Sequence, residues 1–232
     1  MGASTQAQRL GAEFLGTAFL LATVIGSGIM GERLSGGNVA IALLGNTIPT
    51  GAILFVLITM FGPISGAHFN PAVTAVVAMR KEISPAEAVN FVVVQLIGAI
   101  VGVLAAHMMF EENVLQVSSK LRAGPSQWFS EWVAAFGLVL TILLTLKANH
   151  AAVAASVGLF ITAAYWFTAS TSFANPAVTI ARALSNTFAG IRPTDVPPFI
   201  VAQIFGAVSA LWVSRWLLPA ARELHPRQSP AE

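Results

Sequence analysis

The stretch Ser65-Gly66-Ala67-His68-Phe69-Asn70-Pro71-Ala72-Val73-Thr74 closes an uncharged run from Leu34 to Met79, 46 residues long. Its second half recurs as Asn175-Pro176-Ala177-Val178-Thr179, near the end of another uncharged run, 34 residues from Ala148 to Ala181. A helix needs about 20 apolar residues to cross the hydrocarbon core of a bilayer. Each run is too long for one crossing and suits one crossing plus a half. Proline is favoured at the first helical position and asparagine just before it, so Asn70-Pro71 and Asn175-Pro176 read as helix starts. The pieces that follow, 71–79 and 176–185, are too short to cross. Irregular backbone survives at membrane depth only where protein or a wet cavity surrounds it. The reading is two re-entrant half-helices.

The remaining uncharged gaps fit single crossings: Phe14 to Gly31, Ala88 to Phe110, Val196 to Ser214, and Gln127 to Leu146 with one acid, Glu131, inside it. The first is read as a retained span, because no small-residue cleavage site follows it around Gly31-Glu32-Arg33-Leu34. Composition agrees: 56% of the 232 residues are apolar, 9% are charged and mean hydropathy is +0.75, where a soluble domain carries about 25% charged residues. Membrane lipid is thus a partner. The net charge of +2 comes from scattered basic residues, so nucleic acid is not an expected partner. With no cysteine there is no disulfide, thiolate nucleophile or sulfur metal site. No metal-ligand spacing, nucleophile–base pair or Gly-rich phosphate loop appears; no cofactor and no enzyme activity are expected.

The repeat extends beyond the Asn-Pro-Ala tripeptides. Ala12-Glu13-Phe14 is answered by Ser130-Glu131-Trp132, and Gln95-Leu96-Ile97-Gly98-Ala99 by Gln203-Ile204-Phe205-Gly206-Ala207. The chain is one channel-sized domain of two repeats, 12–110 and 127–218. Three spans per repeat is an odd number, so the repeats are inverted in the membrane. Both termini then share a side. A cytoplasmic placement puts Arg9, Arg80, Lys81, Lys147, Arg215, Arg222 and Arg227 inside, against Arg33, Lys120, Arg122, Arg182 and Arg192 outside. The tail 221–232, short and polar, is expected to be disordered. Gly16, Gly98, Gly102 and Gly206 read as close-packing positions between helices.

Two inverted half-helices bring their N-termini together near the midplane. There each supplies a positive dipole end and each Asn an amide donor. A cation meets positive potential twice, whereas water or a hydroxyl meets donors. Glu13 and Glu131 hold either a proton or cation path or, as their repeat-related places favour, a scaffold accepting hydrogen bonds from the re-entrant loops. His68 either lines the pore or braces the loop. His107 reads as interfacial and His150 as a loop residue.

Together Ala12-Glu13-Phe14-Leu15-Gly16-Thr17, Ser65 to Thr74, the Gln95 to Ala99 and Gln203 to Ala207 segments and the second Asn-Pro-Ala resemble the aquaporin and aquaglyceroporin (major intrinsic protein) family over essentially the whole chain. The resemblance implies an all-α membrane fold of six transmembrane helices and two half-helices, with a pore in each subunit of a homotetramer. It places a selectivity filter at Thr50, Ala163, Ser172 and Val178. A water-selective member carries a bulky aromatic, a histidine and an arginine at the first, second and fourth of these, and a glycerol channel keeps the arginine. All four here are small. The pattern resembles the bacterial aquaglyceroporins of arsenic resistance, in the inner membrane, and implies passive passage of small uncharged solutes: glycerol-like polyols, arsenous acid and related trivalent arsenicals, and water. The alternatives are a water-selective channel and an ion-coupled secondary transporter using Glu13 and Glu131. Pro49 is expected to bend the second span. Arg182, four residues after Val178 and about 6 Å farther toward the mouth, is either a displaced filter charge in the outer vestibule or a structural residue paired with Asp195 or a helix carbonyl.

Overall fold

The computed structural model of the chain describes residues 4–218, so the tail at 221–232 lies outside the described residues. Eight α-helices are present among them: α1 Gln6–Leu34, α2 Val39–Ser65, α3 Pro71–Met79, α4 Pro85–Met109, α5 Pro125–Ala148, α6 Val153–Phe167, α7 Pro176–Arg182 and α8 Val196–Leu217, with single 3₁₀ turns at His150–Ala152 and Pro193–Asp195. Six of these segments are long and apolar enough to cross a membrane. The two over-long uncharged runs resolve into α2 with α3 and α6 with α7, a span and a short helix each.

Local chemistry sets the boundaries. Proline occupies the first turn of α3, α4, α5, α7 and α8, where its missing N–H costs nothing. Thr5 and Gln8 form a capping box before α1, and the Asn38 side chain caps α2 by accepting from the Ala40 and Ile41 amides. Gly66 ends α2 at φ 91°, a left-handed conformation suited to glycine. Helix α7 stops at Arg182, short of the 185 expected. The amides of Ala183, Leu184 and Ser185 bond three residues back, to Ile180, Ala181 and Arg182, so the chain tightens out of α-geometry there. Helix α2 runs on through Pro49 and Pro63.

The helices pair as the repeat requires, α1 against α4 and α5 against α8, with α2 against α6 joining the halves. Gly98 and Gly206 hold matching places in these pairs. A Cβ on Gly98 would lie 2.4 Å from the Phe14 carbonyl oxygen, and one on Gly206 2.4 Å from that of Trp132. Such approaches are open only to glycine. Gly102 meets the Ala18 carbonyl in the same way, while Gly16 makes room for the ring of Phe69 and so seats the first re-entrant loop. The outer faces carry exposed large apolar side chains such as Phe19, Val93, Phe205 and Trp216, as a lipid-facing surface requires. The polar groups lie inside: Glu13, Gln95, His107, Glu131, Arg182 and Gln203 are all buried.

Candidate functional site

The half-helices α3 and α7 meet N-terminus to N-terminus and hold each other by reciprocal hydrogen bonds. Asn70 Nδ2 donates to the Ala174 carbonyl and Asn175 Nδ2 to the Phe69 carbonyl, both at 2.8 Å. Each Asn Oδ1 caps its own helix, accepting from Ala72 N in one repeat and from Ala177 and Val178 N in the other. An amide group has two hydrogens. One of each pair ties the loops together, and the second remains for whatever occupies the lumen.

A carboxylate behind each loop fixes the backbone. Glu13 accepts from Ser65 Oγ (2.6 Å), His68 N (2.9 Å), Phe69 N (2.7 Å) and Gln95 Nε2 (2.8 Å). Glu131 accepts from Phe173 N (2.9 Å), Ala174 N (2.9 Å) and Gln203 Nε2 (2.6 Å). The Gln95 and Gln203 amides also reach Thr74 and Thr179 on α3 and α7. In a trans peptide the N–H and the preceding C=O point in opposite directions. With the amides of His68, Phe69, Phe173 and Ala174 turned to carboxylates, the carbonyls of Ala67, His68, Ser172 and Phe173 turn the other way. Those four residues line the cavity. The alternation requires positive φ at Ala67 (51°) and Phe69 (49°), and again at Ser172 (49°) and Ala174 (50°). Such conformations cost on the order of 1–3 kcal/mol each in non-glycine residues, which the charge-assisted bonds to Glu13 and Glu131 offset. Neither acid lines the cavity. The oxygens of both accept from loop amides and a glutamine amide and, at Glu13, from the Ser65 hydroxyl.

The cavity holds about 60 Å³, room for a few waters. Its lining is mixed. His68, Asn70, Asn175, Ser172, Thr50, Tyr165 and Arg182 bring polar groups, while Val24, Leu54, Ile58, Val73, Val157 and Ile161 bring alkyl surface. His68 both lines the lumen and braces the loop, with Nδ1 3.1 Å from Thr74 Oγ1 and its ring edge-on to Phe91.

Three of the four expected filter positions, Thr50, Ser172 and Val178, line the cavity; Ala163 does not and is exposed on the outside of α6. The offset from Asn175 that selects Ala163 presumes one fixed path between α6 and the loop. On α6 the cavity-facing residues are Val157, Ile161 and Tyr165, a series four residues apart, and position 163 lies about 200° round the helix from 161. The Thr50 hydroxyl does not present a free donor, since it bonds back to the Asn46 carbonyl at 2.8 Å. Arg182 is fully inside, 1% exposed, and lines the cavity. Its Nε donates to the Ala189 carbonyl, its guanidinium carbon stands 3.4 Å from the centre of the Phe173 ring, and its Nη1 has no partner. Asp195 is occupied elsewhere, by Arg192 and the Arg122 amide. His107 is not interfacial. It is buried, held between the Val114 carbonyl and Ser185 Oγ at 2.9 Å each, because the segment after α4 folds back over it.

That segment, between α4 and α5, is stitched to the loops on both sides of α7. Arg122 Nε donates to the Gly190 carbonyl (2.8 Å) and Nη1 to the Ser170 carbonyl (3.0 Å), and the Arg192 amide donates to the Lys120 carbonyl. Lys120 Nζ donates to the Phe188 carbonyl and lies over that ring. Burial, then the charges of Arg122 and Arg182, lower the Lys120 pKa to about 8. Sequence reasoning missed Arg122, Tyr165 and Phe173. The signal for Tyr165, the sole tyrosine, was its place on the face of Ile161.

Residues 2–152 and 144–229 match the family described as Major intrinsic protein. The chain belongs to the major intrinsic protein family. It is 54% identical over 223 residues to aquaglyceroporin AqpS of Rhizobium meliloti (strain 1021), covering 96% of this chain and 95% of that one. It is 28% identical to glycerol uptake facilitator protein-like 6 of Lactiplantibacillus plantarum, over 88% of this chain and 95% of that protein. The fold matches that of the aquaglyceroporin from Plasmodium falciparum with TM-score 0.71 at 19% identity, covering 92% of this chain and 97% of the other. This major intrinsic protein is a multi-pass membrane channel that passes small solutes passively. It is a member of a channel family.

Proposed function

We propose that the channel conducts small uncharged hydroxylated solutes, glycerol-like polyols with arsenous acid and related trivalent arsenicals, together with water. The observation that carries this reading is the mixed polar and alkyl lining of the lumen. A polyol presents hydroxyls along one edge and carbon along the other. His68, Asn70, Asn175 and the loop carbonyls exchange hydrogen bonds with the first, and Val24, Ile58, Val157 and Ile161 meet the second. Each bond to the wall replaces one to water, so dehydration costs little. A cation has no carboxylate in the lumen to replace its hydration, and two helix N-termini oppose it. The channel works as a homotetramer with one pore per subunit, in a bacterial plasma membrane, with both termini cytoplasmic.

The small cavity, with Arg182 and Tyr165 both in its wall, favours a second reading, a channel selective for water. Stopped-flow light scattering on proteoliposomes separates the two. The proposal expects glycerol and arsenous acid to re-swell loaded vesicles faster than empty ones, urea serving as a hydroxyl-free comparison. Accelerated water flow with glycerol at the level of empty vesicles would establish the second reading instead.

A further inference from the structure

Arg182 is a buried guanidinium in the wall of the pore with one nitrogen unanswered. Among the described residues no salt bridge involves it, its Nε is taken by the Ala189 carbonyl and its guanidinium carbon lies over the Phe173 ring. These two contacts hold it in place and leave Nη1, buried and without a partner, in a residue that faces the cavity. Ser172 Oγ is likewise buried, unpartnered and cavity-lining. The Tyr165 hydroxyl stands 3.5 Å from Thr50 Oγ1, too long for a strong bond. An unsatisfied buried donor costs about 1–3 kcal/mol. Arg182 Nη1 and Ser172 Oγ are two such groups, and with the loosely held Tyr165 hydroxyl they mark a site that takes its hydrogen bonds from a passing molecule.

Resting on the reading of a channel for hydroxylated solutes, we propose that Arg182, Tyr165 and Ser172 form its solute-recognition site, with Arg182 as the filter arginine delivered from one helical turn later than the expected position. The wall at the expected position is then free to be apolar. Val178 lies four residues before Arg182, on the same face of α7, and supplies alkyl surface where a filter arginine would supply donors. The guanidinium gives an N–H to one hydroxyl of a polyol, Ser172 exchanges hydrogen bonds with the adjacent one and Tyr165 with a third. The carbon edge lies on Val178 and Ile161. The preferred ligand is a neutral solute with three adjacent hydroxyls, over one with two.

The test uses the full-length protein in liposomes and compares glycerol, 1,2-propanediol and water permeability and sodium leak. Ser172→Ala and Tyr165→Phe each remove one hydroxyl and little volume. Each is expected to lower glycerol flux about three- to tenfold, the effect of one lost hydrogen bond near 1 kcal/mol, and to leave water and the diol within about twofold. Arg182→Lys keeps the charge but not the fixed fork, so it should hold sodium out while losing the triol preference. Arg182→Ala should lose both. An unchanged glycerol-to-diol ratio in Ser172→Ala and Tyr165→Phe, with their water flux normal, would overturn the proposal whether or not Arg182→Ala folds. If the parent protein carries no glycerol, the preceding reading fails. In that event the proposal still stands or falls on sodium leak, expected in Arg182→Ala and absent in Arg182→Lys.

Discussion

Replacing Glu131 with glutamine is the sharpest probe of how the pore is held. The carboxylate accepts three hydrogen bonds, from the Phe173 and Ala174 amides and from Gln203 Nε2, at 2.6–2.9 Å, and is completely buried. Glutamine keeps the shape but offers one acceptor and one donor group. At least one backbone N–H of the second loop then faces an N–H₂. The loss is one charge-assisted bond, about 1.5–3 kcal/mol, plus an unsatisfied buried amide at about 1–3 kcal/mol. Together these come to about 4 kcal/mol. In a domain of this size that lowers the melting temperature by on the order of 10 °C. The positive φ at Ser172 and Ala174 is no longer held, so Phe173 and Asn175 shift and water conduction drops with stability. The assay is thermal unfolding of detergent-solubilised protein beside water flux in liposomes. A Glu131→Gln protein with parental melting and flux would refute the scaffold argument, and a fully stable variant that had lost only gradient-dependent transport would restore the coupling role.

Four further outcomes are expected. Val178→Arg adds a long cation to the same face as Arg182, so glycerol flux should fall much more than water flux; equal loss of both would mean that Val178 does not line the pore. Asn70→Asp or Asn175→Asp puts a carboxylate where two helix N-termini oppose cations, so sodium or proton conductance should rise in at least one variant, and unchanged exclusion in both would contradict the barrier. Gly206→Ala sets a Cβ 2.4 Å from the Trp132 carbonyl oxygen, forcing α5 and α8 apart at about 1–3 kcal/mol; a melting temperature equal to the parent's would show that the pair has slack. Lys120 has a pKa of about 8 in the folded protein against about 10.4 unfolded. Between these values the unfolded chain binds more protons, so stability gains with rising pH from about 8 to 10. Lys120→Met should lack that gain in melting scans, and parallel curves would show that the lysine titrates normally.

The half-helices were legible because proline and asparagine set helix starts by local geometry and because charge spacing measures membrane crossings. Glu13 and Glu131 were legible as a pair through the repeat. What the sequence hid depends on how segments far apart in the chain approach one another. Arg182 is four residues from Val178 in either reading, and only the positions of Ala189 and Phe173 decide that it is anchored beside the lumen. Ala163 was chosen by an offset across a loop whose path no offset fixes; the rotation of α6 brings Tyr165 there instead. His107 looked interfacial by its place near the end of α4. It is buried because the segment around Val114 and the loop at Ser185 close over it, a long-range contact with no local signature.

The central claim is passive conduction of neutral solute through a lumen that excludes charge. Its most direct measurement is glycerol flux into proteoliposomes with proton and sodium gradients imposed, reversed or collapsed, recorded together with membrane current. A passive channel gives a flux proportional to the glycerol gradient, indifferent to either ion gradient and accompanied by no current. A glycerol flux that follows the proton or sodium gradient, or that carries charge with it, would contradict the claim.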